Sequence, residues 1–451
     1  VISVTKCLKT FGTALLLLGV WIFIASIDQS DFDDHGLVPI IVPILNKENG
    51  LQKISYTQKN DFNLIPQKDI NEKLVPLIYH KEWNEAYVQK ILRDYKEHID
   101  NVISASKFKR FKFQEMNVVD KIPRYSSIVE IFRLLLLRSI AEARVRNYDN
   151  SIYLAERAMV FSQQIKTEEN YYLVSHLVGQ SMQYEALLWV HHLATDYDLN
   201  PEQYSKLLHI FTYIPSYKED LFNKVFSGEF LYTRDLMRRI VDRSFSERRE
   251  DWKSSKDWWN SQLIQAGGGY EESKAEEEVF AFLQVLFPQY YIQLNSASEE
   301  SAKFFLELVT LSDSPCKDTA FLANRPRHKV TWSSLVVPNI FVDSLITSES
   351  SFSTYFSRRC YIHAHTEGVK TIVALKSYEL DSGSLPDKLD ELIPKYLSKL
   401  PVDPFNLSYL KYSKLNKWVY SVGNNFLDGG GSADAYYIWH CGNNKACSLN
   451  P

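Results

Sequence analysis

The sequence predicts a mainly α-helical protein. A transmembrane helix over residues 1–29 comes first. A linker or stalk over 30–76 leads to an α-helical domain over 77–330. A C-terminal α+β domain over 331–451 carries one long helix and a small antiparallel sheet. Three observations predict this. An apolar run lies between lysines and aspartates near the N-terminal end. Apolar residues then recur at helical spacing from about Leu77 to Leu311. From Thr331 the pattern changes to a long helix, proline-punctuated turns and an alternating hairpin.

The first element is an apolar run from Phe11 to Ile27, preceded by Lys6 and Lys9 and followed by Asp28, Asp31, Asp33 and Asp34. It is near the lower length limit for a spanning helix. Lysines before and acids after it predict an N-terminus in the cytoplasm and the bulk of the chain in the periplasm. Phe23-Ile24-Ala25-Ser26 fits a signal-peptidase site poorly, so an uncleaved signal anchor is expected, with the chain held in the bacterial inner membrane through residues 11–27. Outside the cytoplasm disulfides persist. Cys441 and Cys447 close a short loop suited to one. Spacing alone leaves a Cys316–Cys360 pair equally open.

Residues 30–76 mix prolines with polar runs and lack periodicity, which predicts the linker. In the helical region, "SSIVEIFRLLLLRSIAEARV" places Ile128, Ile131, Phe132 and Leu135 on one face. "RNYDN" reads as a turn, and "SIYLAERAMVFSQQI" resumes with Leu154, Ala158 and Phe161. This helix-turn-helix resembles one tetratricopeptide-like unit, with no second copy at that period. Further helices are expected in "YYLVSHLVGQSMQYEALLWVHHLA", "FLYTRDLMRRIVDRSFSERRE", "SKAEEEVFAFLQVLF" and "ESAKFFLELVTLS", with a flexible joint at "QAGGGY". "FSRRCYIHAHTEGVKTIVALKSYELDSG" predicts one long helix ended by Gly383. A short helix around Asp387 to Ile393 and a hairpin turning at Leu415-Asn416 complete the pattern.

Net charge is −4 with a pI near 6.3, and nothing in this composition suggests the clustered basic face of a nucleic-acid binder. The basic run "KFKRFKF", Lys107 to Phe113, reads as a solvated or membrane-facing edge. There is no phosphate-binding glycine loop, no Gly-x-Ser-x-Gly elbow and no His-Glu-x-x-His. Cys360 and His363 share a helical face, but zinc needs convergent ligands, usually four. Helix packing or a disulfide at Cys360 is the expectation there. His191 and His192 are adjacent on a helix and point apart.

The segment Ala374 to Trp439 carries, in order, Tyr378, Gly383, Leu385-Pro386, Leu389, Leu392, Asp403-Pro404-Phe405, a hairpin, and then Ser421, Gly423, Asp428, Gly429, Gly430, Asp434 and Trp439. This order resembles the C-terminal region of type II secretion major pseudopilins. The whole chain looks like uncharacterised bacterial single-pass membrane proteins with such a tail. In the pseudopilins the corresponding loop binds calcium, and the resemblance implies calcium at Ser421, Asn425, Asp428 and Asp434. The chemistry is that of a hard cation seeking six to eight oxygens from carboxylates, amides and carbonyls. Asn425 stands where the family tends to carry an acid, which predicts weaker binding. A calcium-free turn packed through Tyr436 and Trp439 is the alternative. The apolar segment lies far upstream of this tail instead of forming its first helix, which sets the chain apart from a true pseudopilus subunit.

The expected function is a non-catalytic envelope interaction or scaffold protein associated with a secretion or pilus-like system. Its protein partner would bind through the helical domain. A periplasmic enzyme with a site among Glu185, His191 and His192 is the first alternative. A pseudopilus subunit is the second.

Overall fold

The computed structural model describes residues 19–38, 44–54, 65, 67–79, 83–112, 125–166, 173–216, 222–247, 283, 286–312, 314, 316, 337, 339, 350–430 and 437–441. The protein is mainly helical, with a small three-stranded antiparallel sheet. The principal helices are α1 (Glu85–Asp94), α2 (Lys96–Ala105), α3 (Tyr125–Arg144), α4 (Tyr148–Ile165), α5 (Leu173–Asp196), α6 (Pro201–Ile210), α7 (Phe222–Asp242), α8 (Leu294–Ser312) and α9 (Ser350–Ser382). The strands are β1 (Lys411–Ser413), β2 (Trp418–Ser421) and β3 (Tyr437–His440), in the order β1-β2-β3.

The expected helix-turn-helix is α3 and α4, joined at Arg146 in the left-handed region. Leu134, Leu135, Leu136 and Leu137 on α3 are all buried, because α1, α2, α4 and α5 surround this helix. A helix covered on every side needs apolar residues on every side. Ser139 on α3 ties three helices together. Its Oγ donates to the Ser151 carbonyl on α4 at 2.7 Å and accepts from the Trp189 indole on α5 at 2.7 Å. Asn200 and Gln203 cap α6 reciprocally, each accepting the other's backbone N–H.

The long helix α9 is the element that the two ends of the fold share. Near its start, Phe352, Tyr355 and Phe356 pack with Phe226, Phe230 and Phe305 of α7 and α8. Further along, Ala364, Val369, Ile372 and Val373 join the main core together with α3, α4 and α5. Its C-terminal half also contacts α6, β2 and β3. It ends as expected: Gly383, at φ +78°, donates its N–H to the Glu379 carbonyl at 2.9 Å. Leu389–Leu392 forms a single 3-10 turn, and β1 and β2 form the expected hairpin, turning through Lys417 at φ +53°.

Two expectations change. The stretch read as a linker or stalk carries Leu37, Leu51, Ile54, Ile65, Ile70 and Leu74 in buried positions. Ile70 and Leu74 lie four apart on a helical segment over 67–78 that takes a π turn at Ile70–Leu74, Leu51 lies in the 3-10 turn Gly50–Lys53, and Leu37, Ile54 and Ile65 stand outside helices. The second change concerns cysteine pairing. Cys316 is bonded to Cys360 on α9, 44 residues away in sequence, whereas Cys441 is a free, buried thiol. The short loop that favoured Cys441–Cys447 in sequence therefore does not decide the pairing; Cys447 lies outside the described residues. Cross-linking a segment of that length stabilises by about 4 kcal/mol in the chain-entropy account.

The anchor is a separate matter. Residues 19–25 are helical, and 11–18 lie outside the described residues, so the expected span over 11–27 is described only in part. Among the described residues no helix is long and apolar enough to cross a membrane. The expected joint "QAGGGY" and most of "SKAEEEVFAFLQVLF" also lie outside the described residues, as do positions 330 and 331, where the helical domain was expected to meet the tail.

Gly368 shows what joins the sheet to α9. A Cβ built there would lie 2.3–2.4 Å from three ring atoms of Trp439. Gly368→Ala gains about 1 kcal/mol of helix propensity but forces the indole off its seat. We expect a net loss of about 1–3 kcal/mol, read as a lower unfolding midpoint. An unchanged or raised midpoint would show that the ring has room to move.

Candidate functional site

The expected calcium loop begins where β2 ends. Tyr420 and Ser421 are neighbours on that strand, so their side chains leave opposite faces. Ser421 is fully buried. Its Oγ donates to Asp403 Oδ1 at 3.0 Å and accepts from the Gly423 N–H at 3.1 Å. Asp428 is exposed and belongs to the other side. Its Oδ1 accepts from the Tyr420 hydroxyl and from the Gly430 N–H, both at 3.0 Å, and Lys411 Nζ stands 3.4 Å from Oδ2. The Gly430 N–H, with help from Tyr420 and Lys411, holds the Asp428 carboxyl below its ordinary pKa. Asn425 is exposed, and its side-chain oxygen accepts from the Leu427 N–H at 3.1 Å. Asp434 and Tyr436 lie outside the described residues.

The structure therefore brings Asn425 and Asp428 onto the exposed loop but turns Ser421 away from it. Ser421 belongs to a buried knot around Asp403. That carboxylate accepts from the Val422 N–H at 2.9 Å, the Phe405 N–H at 3.0 Å and the Ser421 hydroxyl. Burial holds the Asp403 pKa above its ordinary value despite these three donors. The knot ties the Asp403-Pro404-Phe405 turn to the end of β2. The Asp-Pro-aromatic pattern marked a turn in the sequence, but nothing there indicated that its carboxylate would organise the loop's root.

The residues held in reserve for an enzyme site are engaged in structural contacts: Glu185 between two helices, His191 between a helix and a strand, and His192 within its own helix. Arg133 on α3 grips Glu185 on α5, with Nε 3.1 Å from each carboxylate oxygen and Nη2 2.6 Å from Oε1. Beside the pair, burial and the Glu185 charge push Tyr79 up to about 12. His191 meets the backbone carbonyl of His440 at 3.1 Å, joining α5 to β3. His192 points elsewhere, to Asp196 at 2.8 Å. His365 Nδ1 accepts from the Trp439 indole N–H at 2.8 Å, which places the remaining ring proton on Nε2. Nε2 is buried, with no hydrogen-bond partner among the described residues. Cys360 is in the disulfide, as one of its two expected roles required. Among the described residues no group of three His, Cys, Asp or Glu is placed to hold a metal ion.

The basic run follows α2 and is described as far as Lys112. Asn49 clamps it, donating to the Lys112 carbonyl at 2.7 Å and accepting the Lys112 N–H at 3.0 Å. Gln164 on α4 donates to the Phe108 carbonyl at 2.6 Å, and Phe111 is buried. The cations therefore line an open cleft of about 490 Å³, in which Lys47, Lys107, Lys109 and Arg110 face a single acid, Glu48.

Comparison with protein-family models, with curated proteins and with solved structures finds no match to this chain.

Two measurements check the geometry. Asp403→Ala leaves three donors without their acceptor in the interior and should cost on the order of 3 kcal/mol in denaturant unfolding. A loss below about 0.5 kcal/mol would mean that water replaces the carboxylate freely. Acid stability is the second. Burial lowers His191 to about 4 and His365 to about 3, so both are neutral in the fold and take up protons readily once unfolded. A depressed folded pKa gives stability that is present above the ordinary value of 6.5 and lost as pH falls through the folded one. The unfolding midpoint should drop steadily from about pH 6.5 towards pH 4, and His191→Gln with His365→Gln should flatten that slope. An equally steep slope in the double variant would place the acid sensitivity elsewhere.

Proposed function

We propose that this protein is a non-catalytic interaction or scaffold module of the bacterial envelope, anchored in the inner membrane through residues 11–27, with its helical body and tail in the periplasm. The observation that carries the reading is a cluster on α4 and the turn after α6 in which two exposed tyrosines, Tyr153 and Tyr213, cover a largely buried Arg157–Glu156 pair. Tyr153 and Tyr213 flank the guanidinium of Arg157, whose carbon lies 5.6 and 6.0 Å from the two ring centres. The Tyr213 hydroxyl donates to Glu156 at 3.0 Å, and Glu156 also pairs with Arg157. Tyrosine and arginine held in place on a rigid surface are the side chains that most often anchor protein partners. The Cys316–Cys360 bond suits an oxidising compartment. The tail's resemblance to major pseudopilins supports association with a secretion or pilus-like system.

The test is recovery of partners from solubilised membranes with the full chain as bait. A protein recovered with the native chain and lost with Tyr153→Ser and Tyr213→Ser supports the reading. Identical recovery by both would overturn it.

Calcium belongs to this reading as a tail ligand held by Asn425, Asp428 and Asp434, with Ser421 outside the set. Lys411 and calcium compete for the same Asp428 carboxylate. A ligand that binds only the folded state raises the unfolding midpoint with concentration. Millimolar calcium should raise it in the native chain, raise it more in Lys411→Met and leave it unchanged in Asp428→Ala. Ser421→Ala should lower the midpoint equally with calcium and with chelator. No shift in the native chain would remove calcium from the proposal.

A further inference from the structure

The described end of the N-terminal apolar run is clamped to the helical body. On one side of the helix at 19–25, the Trp21 ring lies edge-on to Tyr290 at 5.5 Å. Ile22 and Ala25 pack against Tyr290 and Tyr291. Polar groups then fix the exit. The Asp28 carboxylate accepts the N–H groups of Asn295 at 2.6 Å and Ser296 at 3.0 Å, in the first turn of α8. The Asn295 side chain donates to the Gln29 carbonyl at 2.8 Å, and Gln293 donates to the Ala25 carbonyl. A carboxylate on the first N–H groups of a helix is favoured by both hydrogen bonding and the helix dipole.

The other side of the same helix is bare. Phe23, Ile24 and Ile27 are 73%, 59% and 63% exposed, and Leu286 and Phe287, next to the Tyr290 cluster, are exposed as well. Neither 19–27 nor 282–292 contains a charged residue. The occupant that fits this face is a phospholipid bilayer. In sequence the apolar run continues back from residue 19 to Phe11, and four aspartates begin at Asp28. Trp21, which is exposed and packs edge-on to the buried Tyr290, lies near that boundary, where indole rings favour the membrane–water interface.

We propose that Leu286 and Phe287 form a second membrane contact beside the anchor, so that the helical body rests on the bilayer surface in one orientation. This rests on the reading that residues 11–27 enter the membrane. The clamp transmits the orientation. With Asp28 seated on α8, the body is unable to swing about the end of the anchor without breaking the hydrogen bonds to Asn295 and Ser296.

The test uses the full chain in vesicles of phosphatidylethanolamine and phosphatidylglycerol that carry a photoactivatable group on an acyl chain. After irradiation, lipid adducts are mapped by peptide mass spectrometry. Adducts are expected on the peptide containing 286–287 as well as on residues 11–27. Leu286→Asp with Phe287→Asp should reduce the former at least tenfold and leave the latter and the unfolding midpoint unchanged. Adducts on 11–27 alone would overturn this inference and leave the anchor standing. Adducts on neither would overturn both.

Discussion

The seat of Trp439 on α9 is the contact on which the arrangement of the tail depends. Gly368 removes a side chain where the indole must lie, and His365, one turn earlier, accepts the indole N–H at 2.8 Å. Shape and hydrogen bond act together here. A large ring is buried with its only polar atom satisfied, which is the condition for placing tryptophan in a core. β3 carries Trp439, and β2 pairs with β3 in a fixed register that sets Val419 opposite Trp439. The Asp403 knot then follows from where β2 ends.

Because α9 carries this seat on one stretch and packs against α5 along its length, it couples the small sheet to the helical body. A ladder of polar side chains reinforces the contact: Lys166, just past the end of α4, donates to Gln183 on α5 at 2.5 Å, and Gln183 donates to Thr366 on α9 at 3.1 Å. Near the other end of α9 the Tyr355 hydroxyl meets His176 of α5 at 2.7 Å, and the disulfide holds Cys360. Buried polar groups fix one helix against another more specifically than apolar packing does, because each unmade bond costs more than a shifted methyl. This accounts for the use of so many histidines and acids as internal ties. It also separates the chemistry of the interior from the exposed surfaces proposed to meet a partner and a bilayer.

Those surfaces have one requirement in common, which is rigidity. A partner held at Tyr153 and Tyr213 stays at a defined height above the membrane only if the body neither flexes internally nor swings on its anchor. The ties along α9 address the first motion. The clamp of Asp28 on α8 addresses the second. The proposed scaffold function and the proposed fixed orientation would therefore draw on the same construction, although each is open to separate measurement.

The sequence by itself determined the elements whose signal is local. Periodicity marked α3, α4, α5 and α9, Gly383 marked the end of α9, and alternation marked the β1–β2 hairpin. Charge on either side of Phe11–Ile27 marked the expected anchor. Tertiary structure alone decided which distant groups meet. Ser421, read as a loop ligand, turns inward because a strand alternates its faces and Asp403 waits on the buried one. Cys360 bonds to Cys316 rather than remaining a packing residue, because the fold sets their Cα atoms 6.0 Å apart. Leu37, Ile54 and Ile65 are buried without a period because each docks on a surface made by other segments, whereas Ile70 and Leu74 share a face of the short helical segment over 67–78. Gly368 carries no signal in its own neighbourhood; its need for an empty Cβ position comes from Trp439, 71 positions along the chain. Backbone periodicity is written within a few turns of chain. Contacts of this kind depend on the mutual placement of whole helices and strands, which no short stretch of sequence records.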